Sequence, residues 1–510
     1  MKVIEIMDTT LRDGEQMQGV SYAPEEKLSI AQILLTEVKV DRLEVTSAKA
    51  SVGEKEATTL ITKWASEVGL LNRLEILTFV DKDKSIEWAK SVGIKRINLL
   101  TKGSQKHCEE QLKKSQDQHL FDIEETINYA IKNGIEVNVY LEDFSNGIKN
   151  SPDYVYKMID RLKTMNIKRI MLPDTLGILN PFDTFDYLSK IVQTYPEVHF
   201  DFHPHNDYGL GVANILASAK AGVRGVHCTV NGLGERAGNP SLDEVAVGLK
   251  DFLNIRTNID EKKLYKISKI VETFSGQRMA TNKPIFGSNV FIQTAGIHAD
   301  GDKKGNLYSN NLIPERFGRL REYALGKLSG RANLEINLKK LGIDLDEGQE
   351  KILLDKIVEL GDKKKSITIE DLPYLVSDFF ESRKEMPFKL INCVINSSYN
   401  LKPFAAIKCS YNGEDIEAYD YGDGGYDAFI RALKQILNKF RIKIPKLVDY
   451  VVTIPPGGKT DALVQTTIYW ETKEGEKPLI TRGLNSDQIM AAIEATVKLV
   501  NEIIEKNSSK

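Results

Sequence analysis

Cysteine, histidine and unbalanced charge are all scarce in this chain, and each scarcity removes a class of protein. Four cysteines stand among 510 residues, Cys108, Cys228, Cys393 and Cys409. No two are close in sequence, so neither a disulfide framework nor a zinc finger is expected. Lys and Arg total 69 against 72 for Asp and Glu, a net charge of -3. Without a basic stripe, neither a nucleic acid nor a membrane surface is an expected partner. No run of about eighteen apolar residues occurs, which excludes a spanning helix. The first eight residues carry a charge every few positions in place of a signal-peptide core, so a reducing, cytoplasmic setting is expected. No GxGxxG follows the first apolar run, which disfavours an open dinucleotide-binding sheet.

What is present is enough apolar material for a large core, 41% hydrophobic residues with 28% charged, and enough length for two to four domains. From residue 3 to about 230, short β-type runs alternate with longer helical patterns. The runs fall at 3–7, 42–45, 74–80, 96–99, 136–141, 169–172, 199–202 and 225–229. Helical patterns lie at 26–36, 55–67, 122–133, 153–165, 181–195 and 211–221. Such alternation calls for a parallel sheet covered by helices. Eight repeats in this length predict an α/β fold of the closed (β/α)8 TIM-barrel type. Polar residues collect after these runs, where a barrel places its chemistry: Asp8 to Gln16, Thr46-Ser47, Asp81, Glu142-Asp143, Pro173-Asp174-Thr175 and Asn231 to Asn239.

The seventh run ends in His203-Pro204-His205-Asn206-Asp207. Only seven histidines exist in the chain, and two of them sit here, two residues apart. In an extended strand both imidazoles take the face opposite Phe200 and Phe202. The pair suits either one shared cation or two hydrogen-bonded histidines at a solvated strand end.

Helical patterns at 242–253 and 261–274 close the first domain, expected over residues 1–270. Residues 271–387 read as linker subdomains, with a polar, glycine-dotted stretch around His298 and Tyr308 and helices near 327–341 and 346–362. The last part, 388–510, turns β-rich and repeats itself. Strands at 388–396, 404–411 and 415–421 precede a helix at 426–440; strands at 447–454, 463–471 and 478–481 precede one at 486–505. Two βββα units predict a small α+β domain suited to ligand sensing or subunit contact.

Three separated motifs, Thr10 to Gln16, His203 to Asp207 and Gly232 to Asn239, resemble those of the 2-isopropylmalate, homocitrate and citramalate synthase family. The resemblance runs the full length, through the stretch around His298 and the C-terminal regulatory domain. It departs at Pro204, where the family's motif has a small residue. HMG-CoA lyases share the barrel but carry a catalytic cysteine in the glycine loop, which here reads Gly232-Leu233-Gly234-Glu235-Arg236.

The resemblance implies condensation of acetyl-CoA with a 2-oxo acid, assisted by a divalent metal (Zn, Mn or Mg) on Asp13, His203 and His205 with Asn239 nearby. Arg12 would stabilise the developing alkoxide. Glu142 and Thr175 would hold the oxo acid, and His298 and Tyr308, brought in from the linker of the partner subunit, would move protons. A plainer alternative makes Arg12 and Glu142 an ion pair across the barrel mouth. By resemblance the substrate side chain meets Leu77, Leu100 and Tyr140. Isopropylmalate synthases usually have a small residue at the position of Tyr140, so pyruvate, giving (R)-citramalate for isoleucine synthesis, is expected. The alternatives are 2-oxoisovalerate, giving 2-isopropylmalate, and a non-catalytic amino-acid sensor. In the regulatory domain Gly422-Asp423-Gly424-Gly425-Tyr426-Asp427-Ala428 stands where leucine-inhibited relatives have Pro-Val before the Asp. An effector, isoleucine by expectation, would meet Tyr426, Asp427, Leu447, Tyr450 and Ile454 near the contact of a homodimer.

Overall fold

The computed structural model describes residues 3–295, 300–301, 304–305, 307, 310–362, 369, 372, 376, 387–453, 464–472, 478–485 and 487–508. They form two compact units, Met1–Gln293 with Gly305–Glu322, and Thr294–Lys304 with Tyr323–Lys510.

In the first unit eight parallel strands close into a barrel in chain order. They are β1 (Glu5–Asp8), β2 (Arg42–Ser47), β3 (Leu74–Phe79), β4 (Arg96–Lys102), β5 (Glu136–Glu142), β6 (Ile170–Asp174), β7 (Phe200–Pro204) and β8 (Gly225–Cys228). The ring shuts where Ile6 pairs with Val226 and Asp8 with Cys228. Each strand buries one side against helices, through residues such as Ile6, Leu43, Ile76, Ile97 and Phe202, all fully buried. Burying each such side chain contributes about 1.5–3 kcal/mol. The other side faces the barrel axis and is unusually polar, carrying Glu44, Asn98, Asn138, Asp201 and His227 at or near zero exposure.

The helices start where local chemistry can satisfy their first N–H groups. Pro24 opens Pro24–Gln32, and the Glu26 side chain accepts the Ala23 N–H at 2.8 Å. Ser51 accepts from Glu54 N–H ahead of Val52–Glu67, and Asn180 caps Pro181–Thr194 through Phe182 and Asp183. Two features depart from the sequence pattern. The first helix widens into a π-helical turn at Ile33–Val38, and a short helix, Phe144–Asn150, follows β5 directly. Asp143, between β5 and that helix, holds a left-handed backbone at φ 64°.

The second unit contains Arg331–Leu341 and Glu347–Asp362, packed through Leu334, Leu338, Leu353 and Ile357. Beyond them lie two three-stranded antiparallel sheets. Phe388–Ser398, Leu401–Tyr411 and Glu414–Tyr421 precede helix Gly425–Lys439; Leu447–Thr453, Val464–Trp470 and Leu479–Asn485 precede Gln488–Ser508. This is the expected pair of βββα units. The last strand runs four residues past its predicted end, through Gly483. A Cβ there would stand 1.8 Å from the Ala491 carbonyl, so only glycine lets the helix lie against the strand.

Candidate functional site

The loop after β1 is knotted before it reaches Asp13. The Thr9 carbonyl accepts the N–H groups of Arg12, Asp13 and Gly14 at 2.8–3.1 Å, and Thr10 Oγ1 accepts from Val230 N–H beyond β8. That knot brings Asp13, fully buried, across to the end of β7. His203 Nε2 lies 3.0 Å and His205 Nε2 3.9 Å from Asp13 Oδ2. One ligand atom from each of the three residues falls within 4.8 Å of the others. Pro204 does not prevent this: it ends β7, paired with Asp174, and the imidazoles on either side still reach Asp13.

The donor set fits a cation. Neither Asp13 carboxylate oxygen has an aligned hydrogen-bond donor, and His205 Nδ1 is likewise buried without a partner. Buried acceptors normally find donors; a bare, buried carboxylate facing the Nε2 atoms of two histidines suits a divalent ion. Burial opposes charge on Asp13, but Arg12 and the two histidines outweigh it and hold the carboxyl well below the usual range. Burial pushes His205 down to about 4 although Asp13 opposes it, leaving it the neutral form a metal requires. Asn239 is buried in the glycine loop, where its amide donates to the Leu233 carbonyl at 3.1 Å.

Arg12 and Glu142 are not each other's partners. Arg12 Nε donates to Glu44 Oε2 at 2.6 Å, while Nη1 lies 3.5 Å from Asp13. Glu44 in turn accepts from Asn98 Nδ2 at 2.7 Å, and Asn98 Oδ1 accepts from Asn138 at 2.8 Å. Glu142 pairs instead with Lys102, a mostly buried lysine one strand away. Thr175 Oγ1 accepts from Asp143 N–H at 2.9 Å, and its carbonyl accepts from Arg236. Arg236 also grips Asp207 at 2.7 Å, which ties the glycine loop to the histidine loop.

Leu77, Leu100 and Tyr140 come together as the sequence reading expects, in an apolar group with Met7 and Met171 inside the barrel. Tyr140 spans the interior from β5 to β8: its hydroxyl lies 3.1 Å from His227 Nδ1, and its ring meets the His203 ring edge-on at 5.8 Å. Beside the glycine loop a cleft of about 240 Å³ is lined by residues including Met17, Leu233, Arg236, Arg278 and Lys283. In the second unit Tyr426 is half-buried, packed against the cores of both sheets, its hydroxyl 2.6 Å from Thr496 Oγ1 and its ring 5.6 Å from that of Tyr450. Asp427 accepts from Asp423 N–H and pairs with Arg431, and Leu447 is exposed. His298, Tyr308 and Ile454 lie outside the described residues.

Glu44, Asn98, Asn138, Lys102 and His227 escaped the sequence reading. Their signal was an amide or charge inside an otherwise apolar strand, which a single-sided barrel lining makes meaningful.

Residues 3–271 match the HMGL-like family, residues 285–365 the homocitrate synthase post-HMGL domain-like family, and residues 366–504 the LeuA allosteric (dimerisation) domain. The (R)-citramalate synthase of Methanocaldococcus jannaschii is 33% identical over 504 residues, 98% of this chain and 100% of that protein. A putative (R)-citramalate synthase of Archaeoglobus fulgidus is 34% identical over 500 residues, 98% of this chain and 99% of that one. The 2-isopropylmalate synthase of M. jannaschii is 34% identical over 510 residues, covering 99% and 95%. With full-length likeness to both kinds of synthase, and a barrel whose mouth gathers an aspartate and two histidines, the chain belongs to the citramalate and 2-isopropylmalate synthase family of acyltransferases.

Proposed function

We propose that this protein condenses acetyl-CoA with pyruvate to give (R)-citramalate and answers to an amino-acid effector through its C-terminal domain. Two of the three relatives above carry the citramalate synthase name, and the third is a 2-isopropylmalate synthase. The observation that carries the choice between oxo acids is Tyr140. Packed on Leu77, Leu100, Met7 and Met171 and tethered to His227, it walls the interior beneath the histidines. A pyruvate methyl needs less room there than an isopropyl group. Two extra methylenes alone discriminate by only about 1–3 kcal/mol each, so a tethered ring excluding them is the stronger filter.

A divalent cation on Asp13, His203 and His205, with Asn239 alongside, supplies Lewis acidity toward the keto oxygen; mixed carboxylate and imidazole donors suit Zn, Mn or Mg. Arg12, held by Glu44, stabilises negative charge on that oxygen as carbon–carbon bond formation proceeds. Glu142, balanced by Lys102, and Thr175 orient the oxo acid. The cleft beside the glycine loop admits the acyl thioester. His298 and Tyr308 serve the proton transfers from the partner subunit of a homodimer, in the cytoplasm. Isoleucine binds near Tyr426, Asp427, Leu447, Tyr450 and Ile454.

Thiol release from acetyl-CoA, followed with pyruvate and with 2-oxoisovalerate, tests this reading. Pyruvate is expected to give the higher kcat/KM, chelation to abolish turnover, and Tyr140→Ser to raise efficiency on 2-oxoisovalerate. Preference of the wild type for 2-oxoisovalerate assigns it as a 2-isopropylmalate synthase; no turnover with either acid leaves a sensor.

A further inference from the structure

His227, a histidine of β8 that faces no solvent, has a ring nitrogen against the second nitrogen of a candidate metal ligand. Its Nε2 lies 3.1 Å from Asp201 Oδ2 and its Nδ1 3.3 Å from His203 Nδ1. We propose that His227 is a positioning residue that fixes the tautomer of His203, and so prepares the metal centre proposed above, on which this inference rests.

The argument follows protons through the barrel. Asp201 Oδ2 already accepts from Arg42 Nη2 at 2.5 Å, and His199 Nε2 stands 3.1 Å from Oδ1. Arg42 also reaches Glu75 and Glu5, which anchors it. A carboxylate held by a guanidinium in this way is an acceptor, so His227 Nε2 carries the proton between them. A neutral imidazole has one N–H, which leaves His227 Nδ1 as a lone pair. His203 Nδ1 faces that lone pair and must bring the hydrogen. Its other nitrogen, Nε2, is then bare, and it is the atom 3.0 Å from Asp13. The opposite assignment would put a hydrogen on His203 Nε2, aimed into the cation site. A histidine ligand is commonly oriented by a carboxylate or carbonyl on its far nitrogen; here a second histidine does it, backed by Asp201 and Arg42. Tyr140 points its hydroxyl at the same His227 lone pair, so two donors share one acceptor, and removing the hydroxyl leaves it wholly to His203.

The test uses the full-length protein stripped with chelator and titrated with Mn²⁺ and with Zn²⁺ by calorimetry, thermal melts reporting folding. His227→Phe is expected to weaken ion binding about 10–100-fold. His227→Gln, which can donate to Asp201 and accept from His203, recovers most of it, and Tyr140→Phe keeps wild-type affinity. Histidine ¹⁵N shifts of the metal-free wild type should show His203 protonated on Nδ1, a readout that stands even where His227→Phe does not fold. A wild type that binds neither ion overturns the metal-centre reading itself. A wild type that binds, with His227→Phe equally tight or His203 protonated on Nε2, overturns the role of His227 alone.

Discussion

Replacing Glu44 by Gln removes one charge and one acceptor from the barrel interior with almost no change of volume. Glu44 takes Arg12 Nε on one oxygen at 2.6 Å and Asn98 Nδ2 on the other at 2.7 Å. A glutamine amide can serve only one of them. If its oxygen keeps Arg12, its NH2 opposes the Asn98 amide, which must turn and disturb its bond to Asn138. Close opposite charges at an effective dielectric near 20 attract by about 4 kcal/mol. Stranding one member of a buried pair costs about 3–5 kcal/mol. Arg12 keeps Asp13 at 3.5 Å, which offsets part of this, so a stability loss of about 2–3 kcal/mol is expected. The guanidinium, no longer held from behind, should lower kcat about 100-fold, since small displacements of a catalytic group cost that much. The KM for acetyl-CoA should change little. Urea denaturation and thiol-release kinetics on Glu44→Gln read both effects. A stability change under about 0.5 kcal/mol, the level of an ordinary surface substitution, together with unchanged kcat, would refute the idea that Glu44 positions Arg12.

Three further outcomes are expected. Asp8 is buried with Oδ2 unpartnered, and burial pushes its carboxyl up to about 7. The folded state therefore binds its proton more tightly than the unfolded chain, and ionisation costs stability as pH rises from about 4 to about 7. Asp8→Asn should gain on the wild type across that window, by at most about 1.4 kcal/mol per pH unit, and level off above it; parallel pH curves would refute this. Gly225→Ala places a Cβ 2.1 Å from Asp201 Oδ1 and 3.0 Å from Arg42 Nη2, and should cost at least about 3 kcal/mol by prising a buried ion pair apart; an unchanged melting temperature would count against it. Tyr426→Phe loses the bond to Thr496, should cost about 1 kcal/mol, and, under the effector site proposed above, should raise the isoleucine concentration needed for inhibition; identical inhibition curves would place the effector elsewhere.

The barrel strands were legible because each is a short apolar run set between turn residues, and their observed bounds match the reading or lie at most three residues from it. The metal candidates were legible because Asp13, His203 and His205 cluster at the C-terminal ends of strands, His203 near the end of β7 and the other two beyond strand ends. Legibility failed where the deciding contact lies across the ring. Nothing local to Arg12 announces Glu44, or local to Glu142 announces Lys102, because partners on different strands leave no spacing to read. Phe144–Asn150 escapes the pattern because Phe-Ser-Asn-Gly-Ile-Lys-Asn offers a single i, i+4 apolar pair around a glycine, too short to read as a helix; it forms under tertiary packing of Phe144 and Ile148. The last strand is read only to 481, and nothing local marks its continuation through Gly483, whose missing side chain is an opening for a neighbouring helix.

The seam between β1 and β8 has a temporal consequence. Thr9 and Cys228, hydrogen-bonded across it, are 219 positions apart in the chain. At ordinary translation speeds of about 5–20 residues per second, β1 leaves the ribosome roughly ten to forty seconds before its second neighbour exists. Through that interval Ile4, Ile6 and Met7, which end fully covered, have an open edge beside them. Such long-range closure is intrinsically slow. The nascent N-terminal segment is therefore where a holding chaperone has most to protect. An ion bridging Asp13 to the two histidines of β7 and its loop would bind only the closed ring, drawing a late folding equilibrium toward completion by mass action.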